Sequence, residues 1–249
     1  GTLVTVRGSG FSPSTTALVR FGSARVVVAR VLSTTLLEVT SPSHVQAELV
    51  PVEVTLNDRD YSSDEVLFEY QRAAQLTELA PPQGPSEGGT FVNVSGARFS
   101  RRAATLSYLY VRFNTIAVPV VWVSSSELHC VEPEHASGLV SVELTQNDQQ
   151  YTSDQLHFEY VEVSLHGVHP LSGPVLGGTE GVLLGTNVHP PGVRGLYCHF
   201  TGADAVAASY DGEEAVRCVT PPALAGGWVA VHVINNDAVY ATSVAFEYY

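Results

Sequence analysis

The chain has 249 residues, 45% of them apolar, with 25 acidic side chains against 12 basic ones and a formal charge of −13. A phosphate backbone would repel that surplus of acid, which sets nucleic-acid binding aside, and no run of 18 apolar residues is present to cross a bilayer. No signal peptide opens the sequence, every base is arginine, and methionine is absent, a bias that reads as GC-rich coding rather than as function.

From the start, Leu3-Val4-Thr5-Val6-Arg7 alternates apolar and polar, and a strand of the form Val19-Arg20-Phe21-Gly22 follows. Val50 to Leu56 alternates again and runs into Asn57-Asp58-Arg59-Asp60, a turn signal, before the chain returns through Tyr61 to Phe68-Glu69-Tyr70. The second stretch opens on Gly84-Pro85-Ser86-Glu87-Gly88-Gly89-Thr90, passes through Val140 to Leu144, and closes on Asn147-Asp148, Tyr151 and Phe158-Glu159-Tyr160. The third opens on Gly173-Pro174-Val175-Leu176-Gly177-Gly178-Thr179 and closes on Asn236-Asp237, Tyr240 and Phe246-Glu247-Tyr248. Asn57 to Asn147 is 90 residues and Asn147 to Asn236 is 89, one small domain each time. No helix of three turns is expected. Short alternating runs broken by Gly, Pro, Asn and Asp predict an all-β chain of three tandem immunoglobulin-like β-sandwiches, at residues 1–71, 76–160 and 163–249. Gly1-Thr2 holds only the tail of the opening phrase, so the first sandwich is expected to lack its opening strand, about 13 residues, as a segment of something longer would.

The Asn-Asp pairs suit turns, because both residues tolerate left-handed backbone and cap their own chain. A calcium site at Asp58, Asp60 and Asp64 is the competing reading, but the second unit keeps only Asp148 and Asp154 and the third only Asp237, too few oxygens for the ion. His166 and His169 are three apart on a strand and should face opposite sides, with His189 and His199 in the same unit, so no metal site is expected. Acid pairs such as Glu213-Glu214 and Glu132-Glu134 read as solvated turns. With no nucleophile elbow, phosphate loop, dinucleotide fingerprint or zinc-protease helix, neither catalysis nor a cofactor is expected.

The units resemble the IPT/TIG domain, an immunoglobulin-like fold found in plexins, other cell-surface proteins and Rel-type transcription factors. The resemblance rests on Pro82, Gly84, Pro85, Gly88 and Gly89 with Pro170, Gly173, Pro174, Gly177 and Gly178. It continues in the strand and turn Val92-Asn93-Val94-Ser95-Gly96 through Phe99, matched by Val4-Thr5-Val6-Arg7-Gly8-Ser9-Gly10-Phe11. Three strands complete it: Val19-Arg20-Phe21-Gly22, Val111-Arg112-Phe113-Asn114 and Cys198-His199-Phe200-Thr201, followed by Cys218-Val219-Thr220-Pro221-Pro222 and the Phe-Glu-Tyr endings. It implies a disulfide between Cys198 and Cys218, whose positions are bonded in many domains of the family. Cys130 aligns with Cys218 but faces Val111, and the first unit offers Val19 and Glu38 there. Cys130 therefore reads as a buried unpaired thiol, with an intermolecular bridge as the alternative. The disulfide would place the chain in an oxidising, extracellular or cell-surface setting.

Asn93-Val94-Ser95 is the one N-glycosylation sequon; with Val92 and Val94 inward, Asn93 should point out and be available. The function expected is that of a non-enzymatic extracellular structural or adhesive repeat, part of a longer array or of a head-to-tail filament that self-associates or meets other extracellular proteins. A receptor ectodomain or carbohydrate-binding module is the alternative, with Trp122, Trp228, Tyr108 and Tyr110 able to stack on sugar if they cluster on one face.

Overall fold

The computed structural model describes every residue except 24–25, 189–194, 213, 237 and 241. The first sandwich is built from β1 (Leu3–Arg7), β2 (Ala17–Phe21), β3 (Val26–Ser33), β4 (Leu36–Thr40), β5 (Glu48–Thr55) and β6 (Leu67–Tyr70). The second has β7 (Gln75–Ala80), β8 (Gln83–Pro85), β9 (Phe91–Ala97), β10 (Tyr110–Phe113), β11 (Ile116–Pro119), β12 (Val121–Ser124), β13 (Glu127–Val131), β14 (Gly138–Thr145) and β15 (Leu156–Val161). The third has β16 (Ser164–His169), β17 (Ser172–Gly173), β18 (Glu180–Thr186), β19 (Leu196–Phe200), β20 (Val206–Tyr210), β21 (Ala215–Val219), β22 (Gly227–Asn235), β23 (Ala238–Val239) and β24 (Val244–Tyr248). The helix among the described residues is one turn, Arg101–Thr105, capped by the Ser100 side chain on Ala103 N–H. Contacts divide the chain into two compact units, Gly1–Ala73 and Ala74–Tyr249, the second holding two sandwiches.

Alternation builds each core. On β2 the pleat turns Ala17, Val19 and Phe21 inward, and on β10 Val111 and Phe113, all essentially without solvent contact. The Phe and Tyr of each Phe-Glu-Tyr phrase pack edge-on against the Phe of the strand that faces them: Phe21 with Phe68, Phe113 with Phe158, Phe200 with Phe246, centroids 5.3, 5.3 and 5.7 Å apart. Such pairs add about 1 kcal/mol to what their burial contributes.

In the second sandwich β9 lies between β13 and β7, and β15 is flanked by the parallel strand β8. The third repeats the arrangement with β18 beside β16 and β24 beside β17. In the first, β1 and β6 end the sheet order. Accordingly Phe68 and Tyr70 are only half-buried, where Phe158, Tyr160, Phe246 and Tyr248 are closed off; Val4 and Val6 are half-buried where Val92 and Val94 are closed off.

Both opening strands carry a bulge, between Leu76 and Glu78 on β7 and between Leu165 and Gly167 on β16. The extra residue turns Leu76 and Leu79, three apart, both inward, as it does Leu165 and Val168. His166 and His169 therefore both face solvent, against the expectation that they lie on opposite sides. The bulge amides are held from across the fold, Leu76 N–H by Asp154 Oδ2 and Leu165 N–H by Thr242 Oγ1, each at 2.8 Å.

Candidate functional site

The closing hairpins display the repeated Asn-Asp phrase. Asn57 Oδ1 accepts from the amides of Arg59 and Asp60, at 3.0 and 2.9 Å, and Asn147 Oδ1 accepts from Gln149 and Gln150 in the same way. Asp58 and Asp148 follow with φ of 57°, so turn chemistry accounts for both pairs. Among the described residues no three His, Cys, Asp or Glu side chains gather as a metal set. Asp237 lies outside the described residues; Asn236 takes φ 47°.

Over each of the first two hairpins, within its own sandwich, an ion pair is stacked on a tyrosine to form a charged platform. Arg20 bonds Glu53 at 2.7 Å, and its guanidinium lies 4.0 Å over the Tyr61 ring. Arg112 bonds Glu143, its Nε at 3.1 Å, and lies 3.7 Å over Tyr151. These are cross-strand pairs, Arg20 opposite Glu53 and Arg112 opposite Glu143. At the same register in the third sandwich stand His199 and His232, ring centroids 6.4 Å apart and 30° from parallel. Their tyrosine does not cover them, because Tyr240 is wholly buried.

The reason is hairpin length. Ser62 N–H bonds Val54 C=O and Thr152 N–H bonds Leu144 C=O, eight residues apart in each; Tyr240 N–H bonds Val233 C=O, seven apart. Tyr240 thus occupies the place of Ser62 and Thr152, one step on from Tyr61 and Tyr151, and the pleat sends it to the other face.

A second repeated position lies inside. Ser41, Glu132 and Thr220 are equivalent: each donates its backbone amide to the carbonyl of Thr2, Thr90 or Thr179 across the sheet, and each is buried. In the outer sandwiches the hydroxyl also accepts the opposite amide, Thr2 N–H on Ser41 Oγ at 2.9 Å and Thr179 N–H on Thr220 Oγ1 at 3.0 Å. The middle one has a carboxyl, 1% exposed, which corrects the expectation that Glu132 belongs to a solvated turn. β13 ends at Val131, and Pro133 directly follows the buried place. Burial pushes the Glu132 carboxyl up to about 8, opposed by the neighbouring Thr90 hydroxyl and the amides of Thr90 and Gly89, and assisted by the charge of Glu87. Neither of its oxygens has a well-angled hydrogen bond in the protein, so the acid is held as a neutral group at pH 7.

Cys198 and Cys218 are bonded, with Cα atoms 6.4 Å apart. Cys130 is buried and unbonded, its thiol pushed up to about 12 by burial and then by Glu132. The pairing registers set Cys130 against Val92 and Val39 against Val4, so the first-sandwich counterpart of Cys130 is Val39; Glu38 faces outward. Asn93 faces away from Val92 and Val94 and is half-buried, with its Oδ1 out of solvent contact. The four aromatics do not share a face. Trp122 and Tyr110 are in different sheets, the Trp122 indole donates to Phe99 C=O at 3.1 Å, Tyr108 is exposed, and Trp228, 63% exposed, belongs to the third sandwich.

The chain is 27% identical to rat Plexin-A3 over 190 residues, covering 70% of this chain and 10% of that protein. It is 27% identical to human Fibrocystin-L over 158 residues, 61% of this chain and 4% of that protein. The chain thus spans a tenth or less of these relatives. Among solved structures, the plexin A4 full extracellular region, domains 1 to 10, superposes with a TM-score of 0.55 at 15% identity, over 100% of this chain and 27% of that one, a likeness of fold. The sequence profile of the IPT/TIG domain matches residues 1–70, 74–160 and 164–248, and the chain belongs to the IPT/TIG domain family.

Proposed function

We propose that this chain is a non-catalytic spacer in the ectodomain of a plexin-like receptor or adhesive cell-surface protein, holding neighbouring domains at a set distance for extracellular protein contacts. Its location is extracellular or at the cell surface. The observation that carries the spacer reading is the seat between the second and third sandwiches. Gly89, at φ +94°, abuts the third hairpin so closely that a Cβ there would be 3.0 Å from the Ala238 Cβ and 3.3 Å from Asn235 C=O. A joint without room for a side chain restrains bending. Ala238→Arg should prise this seat apart. Small-angle scattering of the chain should then report a broader distance distribution, whereas an unchanged profile would remove the basis for a fixed spacer.

A second reading is strand addition at β1 and β6, which end the sheet order of the first sandwich, by a segment of this or another chain. Asp64 is the counterpart of Asp154 and Thr242, which hold the bulged amides of β7 and β16, and it is exposed. An extended segment of the chemistry of Gln75–Pro85 would satisfy Asp64 and cover Val4, Val6, Phe68 and Tyr70. A synthetic peptide of residues 75–86 should bind the chain and lose affinity with Asp64→Ala; no binding would end the filament reading.

A further inference from the structure

We propose that His199 and His232 form a two-imidazole site for a divalent transition cation of the zinc and nickel class on the outer face of the third sandwich. The rings are direct cross-strand partners on β19 and β22, with their inward neighbours Cys198, Phe200, Val231 and Val233 fixed in the core. The register holds their Cα atoms opposite one another.

Three observations point to a ligand rather than to packing. His232 Nδ1 is shielded from solvent and has no hydrogen-bond partner. The counterpart pairs Arg20–Glu53 and Arg112–Glu143 are complementary ions, while two histidines cannot pair by charge, and two protonated rings placed opposite one another repel. Finally, the tyrosine that lies over each arginine is here turned into the core, so no tyrosine lies over the half-buried imidazoles.

Neutral imidazole suits zinc, copper and nickel. A metal–nitrogen bond of about 2.1 Å on each ring with tetrahedral angles would set the two ring centres about 5 Å apart, so the rings, 6.4 Å apart in the free protein, would close by about 1 Å on binding. No third His, Cys, Asp or Glu joins the pair among the described residues, so the cation would keep water in its remaining positions and exchange readily. Binding requires unprotonated rings and should weaken as the solution is acidified.

The test is calorimetric titration of the chain with zinc chloride and with nickel chloride at pH 7.5, paired with the imidazole NMR signals of the histidines. One ion per chain is expected, with His199 and His232 signals moving together. His199→Ala and His232→Ala should each lower affinity at least tenfold, since a chelate needs both rings. The double variant H199R/H232E rebuilds the ion pair of the other two sandwiches, so it keeps the fold and should bind no metal. His129→Ala and His44→Ala, which remove the imidazoles beside Glu127 and Glu48, should leave the titration unchanged. Absence of binding, binding that survives both single variants, or binding that follows His129 or His44 would overturn the proposal.

Discussion

The third hairpin and the first two use the same words, Asn-Asp and then Tyr three residues after the Asp, and build opposite surfaces from them. In the first two, the tyrosine lies outside over an arginine; in the third, a loop one residue shorter sends it into the core and leaves a half-buried histidine pair without a tyrosine over it. The lesson is that repetition of sequence conserves turn chemistry, while the count of residues between paired amides decides which face a side chain serves. The same contrast runs inside the sandwiches, where one position holds a hydroxyl twice and a carboxyl once.

Breaking the core contacts should give the largest differences. Phe158→Ala and Phe246→Ala each remove a fully buried ring and should cost about 4 kcal/mol, whereas Phe68→Ala, at a half-covered position, should cost about half that; urea melts followed by hydrogen exchange in each sandwich would rank the three. Next is the cross-link. The double replacement of Cys198 and Cys218 by Ala opens a loop of 20 residues and should lower the stability of the third sandwich by about 3 kcal/mol, read by proteolysis mapped to that sandwich.

Glu132 sharpens the inner comparison. Its folded carboxyl titrates near 8 against 4.5 as a free group, so the native state holds the proton more tightly than the unfolded chain does. Stability of the middle sandwich is therefore expected to fall as pH rises from 4.5 towards 8 and to level off above. Glu132→Thr, which copies Thr220, should flatten that slope and add on the order of 2 kcal/mol at pH 8, seen in melts across pH. Smallest is the platform itself: Tyr61→Ala and Tyr151→Ala should each cost only about 0.5–1 kcal/mol, since the cation–π contact is near the surface. Tyr240→Ala, by contrast, should behave as a core truncation.

The family fold was legible because it is written in local terms. Period-two alternation around Val92 and Val94, the glycines at Gly88 and Gly89, and the Asn57 and Asn147 side chains folding back on their own amides all act within a few residues. What could not be seen depends on distant partners. The bulge that brings Leu76 and Leu79 to one face exists because Asp154, 78 residues away from Leu76, takes the displaced amide. Glu132 precedes Pro133 and looks like the start of a turn; only the strand opposite, carrying Thr90, shows that the position is inside. The histidine pair was hidden for the same reason, its members being 33 residues apart and joined only by the register of β19 and β22.

Cys130 gives the middle sandwich a clock. The other two of the chain's three cysteines are bonded to one another, so one thiol is available, and its proton is held up to about 12 in a site that reagents do not reach. Alkylation at neutral pH must wait for that sandwich to open, and the rate at which label accumulates measures the frequency of opening there alone, with its neighbours still folded.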